Sequence, residues 1–468
     1  MKKILSTMLS VVCAFSLVAC SNTTKKTSTD TSKSSKQVST ESKKAAKQAD
    51  GELTELSFWH SMDGTYAEIL KAQVEAFNNG IGKEKKIHVT PVFQEWPGTN
   101  ALTLAMTSDD IANMPDVIQL YAENVSLIRN YKRTVWAEDM FAKYSDLTKK
   151  EDLLNNTVSS YSINGKMIGV PYNISALLMY YNQDLLDKAG IKEVPKNLAD
   201  LAKAMTALKE KAAVKQALNV QVNQFELENW IATQGKEGTY FGDNESGHAG
   251  SLKKFAAAEN GSLQAFLKAW QDVIATGAYK PQNESIKEEF ANQDSAIVIM
   301  TSSRIPAMKK LIGDKFKWNV APIPTVNTDD KQGAFPSGAG LYILNRDDEK
   351  KVEAAWIFNQ FMISSEAQSM WLEKTGYVPV NQKVLESDAY KKATSDNPQV
   401  TVAFSTLKDS GKNVVSAFVP AQDAVNKLIK ETMLKYGQGE MKMEEAFEKL
   451  SSGVQKAFDE YYKLNPDA

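Results

Sequence analysis

Apolar residues recur along this chain in two periods, one suited to strands and one to helices. From residue 53 the two alternate. Segments 53–60, 87–93 and 115–121 read as strands, and 65–77 and 99–106 read as amphipathic helices between them. Strand–helix alternation of this kind predicts a mostly parallel sheet with right-handed crossovers. Ligands of such sheets bind beyond the carboxyl ends of the strands. Three loops leave those ends: His60-Ser61-Met62-Asp63-Gly64, residues 94–98, and Ala122-Glu123-Asn124.

The stretch 169–182 has a different pattern. Pro171 blocks helix and biases Val170 toward extended geometry. After Ser175 the residues are apolar or aromatic as far as Tyr181, the pattern of a strand buried on both faces. A helix-like run, 183–189, closes at Gly190. Two readings fit: a core strand with a proline at its start, or a passage from one lobe to another with Tyr172 to Ser175 in the cleft between them. Later segments repeat the βα pattern. Helices are expected at 198–211, 225–231, 263–276 and 284–292, and strands at 218–222, 295–300, 318–321 and 340–344. The last third is nearly all helix, at 349–364, 366–374, 422–436 and 443–462. A βα body interrupted by a second set, a return and a helical end describes a two-lobe clamp. Crossings are expected at 171–175, near 300–304 and near 341–346.

Charge changes the picture only when it is divided. The net −2 splits into +2 over residues 1–20, +4 over 21–50 and −8 over the remainder. An acidic body argues against nucleic-acid binding. With 468 residues, 43% hydrophobic and 24% charged, the chain has the composition of a globular protein large enough for two cores. Cys13 and Cys20 are its two cysteines, so the body offers no thiol nucleophile or disulfide framework. His60, His88 and His248 lie too far apart for ligand-like spacing, although a site made of carboxylates alone stays open. Nucleotide-binding glycine loops, the serine-hydrolase elbow and the zinc-protease helix are absent.

At the N-terminus, Lys2 and Lys3 precede an apolar run that ends in small residues, the pattern of a secretory signal over 1–19. Leu17-Val18-Ala19-Cys20 resembles the bacterial lipobox. That resemblance implies cleavage before Cys20 and acylation of its thiol; the alternative is ordinary secretory cleavage with an incidental cysteine. Residues 20–51 are mostly Ser, Thr, Lys, Ala and Gln, and read as a flexible tether whose positive charge suits an anionic membrane surface.

Candidate chemistry comes from aromatic residues set beside polar ones in loop-like positions: Trp59 with His60, Trp96, Tyr121 with Glu123, Tyr172 with Asn173, Trp230 with Glu228, and Tyr377. Sugars present flat C–H faces and a rim of hydroxyls, which such pairs match. Each aromatic taken singly is more often a core residue. Trp270, Trp356 and Trp371 sit in amphipathic patterns and are assigned to the core.

Four islands carry a family resemblance: Phe58-Trp59-His60-Ser61-Met62, the crossing stretch ending Tyr180-Tyr181-Asn182, Leu227-Glu228-Asn229, and Lys374-Thr375-Gly376-Tyr377-Val378-Pro379. Taken in order, they resemble the extracellular solute-binding proteins of bacterial ABC importers, in the carbohydrate group and especially its glycerol-3-phosphate-binding members. The resemblance implies an α/β, two-lobe, periplasmic-binding-protein-like (Venus flytrap, type II) fold with a helix-rich C-terminal part. It also implies ligand capture in the inter-lobe cleft. Family contacts fall on Ser175, on Ser302 or Ser303, on Ser337-Gly338 and on Tyr377. Trp96 is nearest to the family's second-loop aromatic. Glu123 stands one place from its acidic residue, which is Ala122 here. The phosphate-pairing arginine of a late helix has no counterpart, since the sequence holds no arginine beyond Arg346; Arg304 could stand in from the second crossing.

The expected ligand is therefore a neutral sugar or oligosaccharide, with glycerol phosphate or a glycerophosphodiester as the alternative. Trp59, Trp96, Trp230 and Tyr377 would stack. Asp63, Glu123, Asn173, Ser175 and Glu228 would bond hydroxyls, with Tyr172 in the cleft. Backbone donors would come from around Ser302, Ser303 and Gly338. The expected division gives 52–172 plus 303–342 to the N-terminal lobe and 173–302 plus 343–468 to the C-terminal lobe. No cofactor, metal or nucleic acid is expected. The expected partners are an ABC permease and, through Cys20, the outer face of the cell membrane, with the chain itself a monomer. Two readings from other classes stay open: a lipid-anchored glycoside hydrolase using a carboxylate pair, and a surface adhesin without a pocket.

Overall fold

A computed structural model of the chain describes residues 52–95, 98–144, 147–282 and 284–466. Cys20 and the tether, together with Trp96, lie outside the described residues. In chain order the strands are β1 (Thr54–His60), β2 (Ile87–Phe93), β3 (Val117–Tyr121), β4 (Thr134–Val135), the hairpin β5 (Ser162–Ile163) and β6 (Lys166–Met167), β7 (Val170–Ser175), β8 (Leu177–Asn182), β9 (Gln216–Asn219), β10 (Tyr279–Lys280), β11 (Ser295–Thr301), β12 (Trp318–Pro322) and β13 (Ser337–Leu344).

They form two main sheets. The first runs β2-β1-β3-β13-β4, with β7 also paired to β13; the second runs β10-β9-β11-β8-β12. The first three strands are parallel, as the alternation predicts, and β1 turns Leu56 and Phe58 into the core. β7 and β8 are buried along their whole length and are separated by Ala176 alone. One extended run therefore belongs to both sheets, so the chain does pass between lobes in 169–182, although Tyr172 is enclosed in the first core and does not lie in a cleft. Pro171 has no N–H to give the ladder, and the β7–β13 register shifts beside it. At Gly338 (φ +135°) a Cβ would lie 1.9 Å from the Asn173 carbonyl oxygen, so that backbone approach admits only glycine.

The other two crossings and the lobe boundaries differ from expectation. After β11 the chain makes a 3-10 turn at Ser302–Arg304 and a helix at Ile305–Ile312, then returns as β12 on β8. It thus stays with the second sheet through Pro322, and the return to the first lies in 323–336. Nor does the chain leave the first sheet near 341–346, because helix Glu349–Met362 packs on β1 and β13, and Ser365–Lys374 packs on Gly64–Asn79. The third passage comes after Thr375: Val378 bridges Ile174, helix Gln399–Lys408 lies on β12, and 409–421 leads to Gln422–Gly437 and Met443–Leu464 in the second lobe. The expected assignments of 303–322 to the first lobe and of 343–375 to the second are thereby corrected. Strand pairing decides the first, and helix packing on β1 decides the second.

Two large cores result. One fills the first lobe and extends along one side of the second sheet through Tyr180, Val298 and Met300. The other lies between the opposite side of that sheet and helices Leu198–Lys211, Ser262–Ala275 and the C-terminal pair. Alternate residues of β8 feed different cores, Leu178 and Tyr180 one, Leu177 and Met179 the other. That is the physical meaning of the unbroken apolar run.

Candidate functional site

The carboxyl ends of β1, β3 and β7 meet on the first lobe. There the Ser61 N–H donates to Gln119 Oε1 (3.1 Å), and Gln119 Nε2 donates to Asn173 Oδ1 (2.8 Å). Both side chains of that link are buried. It ends in two polar atoms without a hydrogen-bond partner among the described residues, Ser61 Oγ and Asn173 Nδ2. Unpaired buried polar atoms are costly, and several together at strand carboxyl ends mark a place for an external partner. The Asn173 amide lies beside the Tyr377 hydroxyl, with Tyr66, Tyr121 and Arg304 in the same neighbourhood. Burial pushes the Tyr377 phenol far up, so it is a neutral hydroxyl. Its ring sits between Tyr66 and Trp371, at centroid distances of 5.5 and 5.2 Å.

The crossing serines converge but spend their hydroxyls on one another and on backbone. Ser302 Oγ accepts from the Ala176 N–H (3.3 Å) and donates to the Gly376 carbonyl (2.8 Å). Ser175 and Ser337 share a hydroxyl pair at 3.0 Å, and Ser303 pairs with Thr301 at 2.8 Å. A Cβ on Gly376 would lie 1.8 Å from the Ser302 carbonyl oxygen. These residues hold the crossings together, and Gly338 and Gly376 permit the close approach.

From the second lobe, helix Gln224–Ala232 supplies Glu228. Its Oε1 accepts from the Ala417 N–H (2.6 Å) and its Oε2 from Gln224 Nε2 (3.3 Å). Gln224 Oε1 and Asn229 Oδ1 on the same helix have no partner among the described residues. Burial pushes the Glu228 carboxyl up to about 8, and the nearby Glu123 carboxylate adds to the shift. Glu123, from the first lobe, keeps some accessible surface, yet it is enclosed closely enough that burial raises it to about 7. The unpartnered hydroxyls of Tyr161 and Tyr342 lie near it.

Other candidates fall elsewhere. Trp230 is fully buried in the second core, against Phe266 and Trp270, and its indole donates to the Pro324 carbonyl. It is a core ring in this structure, as the base rate for tryptophan has it. Tyr172 is likewise buried, edge-on to Trp371 with its hydroxyl on Gln73. Trp59 is half-buried against the first core, and Asp63 is exposed at the start of helix Gly64–Asn79, where its side chain makes no cap. Arg304 is exposed.

Sequence reasoning missed the residues that join the lobes away from the crossings. Arg129 Nη1 donates to the Gly247 and Gly250 carbonyls (3.1 and 2.9 Å), and the Asn164 N–H donates to the His248 carbonyl (2.6 Å). The His248 ring lies between the Ser162 and Ser416 carbonyls (2.8 and 2.7 Å), tilted against Phe418 with ring centroids 4.1 Å apart. Burial pulls its pKa down while the two carbonyls act in the other direction. Beside these contacts a cleft of ≈ 310 Å³ is lined by Thr99, Asn124 and Ser126 of the first lobe and by Gln422, Asp423 and Tyr461 of the second. Gln119, a polar residue inside the apolar run of β3, is the one missed residue that the sequence pattern flags. Among the described residues no group of three His, Cys, Asp or Glu could hold a metal ion, and no helix is long and apolar enough to cross a membrane.

Residues 72–402 match the sequence profile of the bacterial extracellular solute-binding proteins. The chain is 24% identical to the sn-glycerol-3-phosphate-binding periplasmic protein UgpB of Escherichia coli O1:K1 / APEC over 358 residues, which are 75% of this chain and 80% of that one. Two solved structures share its fold. The sugar-binding protein MalE of Xanthomonas citri superposes with a TM-score of 0.72 at 18% identity, covering 89% of this chain and all of that one. UgpB of Mycobacterium tuberculosis, in complex with glycerophosphocholine, superposes with a TM-score of 0.67 at 19% identity, covering 88% and 99%.

Proposed function

The chain belongs to the bacterial extracellular solute-binding proteins, and we propose that it captures a neutral, hydroxyl-rich ligand, a sugar or oligosaccharide, between its lobes and hands it to an ABC permease. It is a binding protein and not an enzyme, so the glycoside-hydrolase reading is set aside. The observation that carries the ligand class is a set of buried polar atoms without a hydrogen-bond partner among the described residues: Ser61 Oγ and Asn173 Nδ2 near the strand ends of one lobe, Gln224 Oε1 and Asn229 Oδ1 on helix Gln224–Ala232 of the other. Donors and acceptors together suit hydroxyls, which do both. The two raised carboxyls, Glu123 and Glu228, favour the same class. Held near 7 and 8 they can donate to a sugar oxygen, and any negative charge they carry opposes a phosphate. Tyr377 supplies a ring and a neutral hydroxyl beside Asn173, and Trp96 and Trp59 are the further stacking candidates.

A second reading is kept because the named relative binds sn-glycerol-3-phosphate and one of the structural neighbours holds glycerophosphocholine. In it, Arg304 beside Tyr377 pairs the phosphate. Cys20 would carry the lipid and 20–51 the tether, placing a monomeric receptor on the outer face of the membrane.

A thermal-shift panel separates these readings. Binding to the folded state raises the melting temperature with ligand concentration. The sugar reading expects a rise with one or more neutral saccharides and none with glycerol-3-phosphate. A rise with the phosphate alone selects the second reading, and flat curves throughout reject both.

A further inference from the structure

Loop 242–250 of the second lobe carries an unusual backbone. Asn244, Glu245 and Ser246 have φ of 50°, 55° and 58°, and Gly247 follows at 96°. Left-handed conformation costs an L-residue roughly 1–2 kcal/mol and normally occurs at single positions. Three in succession make a strained turn, which persists only where its surroundings over-determine it. Within its own lobe the turn is tied by Asp243, which accepts from the Lys253 and Lys254 N–H groups, by Asn244 Nδ2 on the Ser251 carbonyl, and by the Phe418 N–H on the Ser246 carbonyl. The turn also bonds to itself, the Ser246 N–H to the Gly242 carbonyl, the Gly247 N–H to the Asp243 carbonyl and the Ala249 N–H to the Asn244 carbonyl, and Ser246 Oγ accepts from the Gly242 N–H. Further restraints come from the first lobe. Arg129 grips the carbonyls of Gly247 and Gly250, and Asn164 and Ser162 hold the two ends of His248.

We infer that this turn is a sprung latch between the lobes and that Arg129 is the positioning residue that fastens it when the cleft shuts. The strain lies in one lobe, and the bonds that brace the far end of the turn, at Gly247, His248 and Gly250, come from the other. Separating the lobes removes the Arg129 and Asn164 bonds and frees the turn to relax. The strain thus lowers the closed population of the empty protein, the Arg129 bonds raise it, and dwell time, more than encounter rate, depends on Arg129. This rests on the proposed capture by closure, yet it involves none of the residues proposed to touch the ligand.

The body holds no cysteine, so lobe separation can be read from a single spin-label pair. In the full chain with Cys13 and Cys20 replaced by serine, labels go on Lys71→Cys and Lys203→Cys, both exposed. Pulsed-EPR distances are then recorded with and without maltose. Arg129→Ala should lower the closed-to-open ratio of the empty protein about tenfold, the scale of lost hydrogen bonds to a charged group. Glu245→Gly, which keeps every contact but accepts φ > 0 freely, should raise that ratio about fivefold. Glu245→Gln, which loses the charge and keeps the strain, should leave it unchanged. Melting temperatures complete the test. If Glu245→Gly raises the melting temperature with no change in the distances, the strain belongs to both states and the latch is refuted. Unchanged distances in Arg129→Ala refute it too. Should maltose shift no variant, the sugar reading suffers while the empty-protein distances still decide the latch.

Discussion

The crossing segments and the latch both join the two lobes, but they are built in opposite ways. At the crossings, glycine lets backbone meet backbone, serine hydroxyls are consumed by neighbouring chain, and β8 feeds two cores from alternate residues. At the latch most of the bonds run from side chain to carbonyl, the backbone is strained, and a cleft lies alongside. The first arrangement cannot come apart without unfolding. The second can, because water can replace each of its hydrogen bonds at small net cost. On the proposed capture by closure, a hinge and a clasp need these two chemistries, one to keep the chain joined and one to let it open.

The comparison breaks most severely at Gly376. Its Cβ would lie 1.8 Å from the Ser302 carbonyl, so Gly376→Val forces the crossings apart. A loss of more than about 3 kcal/mol is expected by urea unfolding, against under about 1 kcal/mol for Arg129→Ala at the latch. Equal losses at the two sites would erase the distinction.

Next in size is a pH effect between the lobes. The Glu228 carboxyl is raised by burial from an ordinary 4.5 to about 8. Its stabilising contribution is therefore complete below about pH 4.5 and is lost as pH rises through 8. Relative to Glu228→Gln, the native chain should lose about 3 kcal/mol between pH 4.5 and 7. His60 works in the other sense. Burial lowers it to about 4, so its contribution is whole above 6.5 and falls away as pH drops through 4. Unfolding curves at a series of pH values, run on both Glu228→Gln and His60→Gln, would separate the alkaline limb from the acid one. An alkaline limb that survives in Glu228→Gln would assign it to another group.

A smaller effect is expected at Tyr377→Phe, which keeps the ring between Tyr66 and Trp371 but removes the hydroxyl beside Asn173. Stability should change by about 1 kcal/mol or less, while affinity for the saccharide found by thermal shift falls about tenfold by calorimetry. Arg304→Ala should do least. The side chain is exposed, and sugar affinity should be unaltered. A large loss of affinity for glycerol-3-phosphate in that variant would instead revive the phosphate reading.

Much of this fold was legible because it rests on periodicity. Strands β1, β2, β3 and β13, the crossing at Ser175–Leu177 and much of the helical end follow from alternation and apolar runs. The lobe boundaries were not legible. A strand's period says that it is buried but not which sheet it joins, and β12 and helix Glu349–Met362 were misplaced for that reason. Helices Asp388–Asp396 and Gln399–Lys408 were missed where polar residues blur the apolar stripe. At the site, Asn173, Ser175, Ser302, Gly338 and Tyr377 do come together around the crossings. Trp230 and Tyr172 read as cleft residues from their polar neighbours, and only packing shows their rings to be enclosed. Arg129 and the left-handed turn carry no local signature at all. An arginine among loop residues looks ordinary, and Asn-Glu-Ser does not announce a positive φ.

The central claim is that two hinged lobes shut on a neutral, hydroxyl-rich molecule. Small-angle X-ray scattering of the chain, alone and titrated with saccharides and with glycerol-3-phosphate, tests it most directly. The account predicts a saturable decrease in radius of gyration with a neutral saccharide and none with the phosphate. An unchanged radius with every saccharide, or contraction with the phosphate alone, would contradict it.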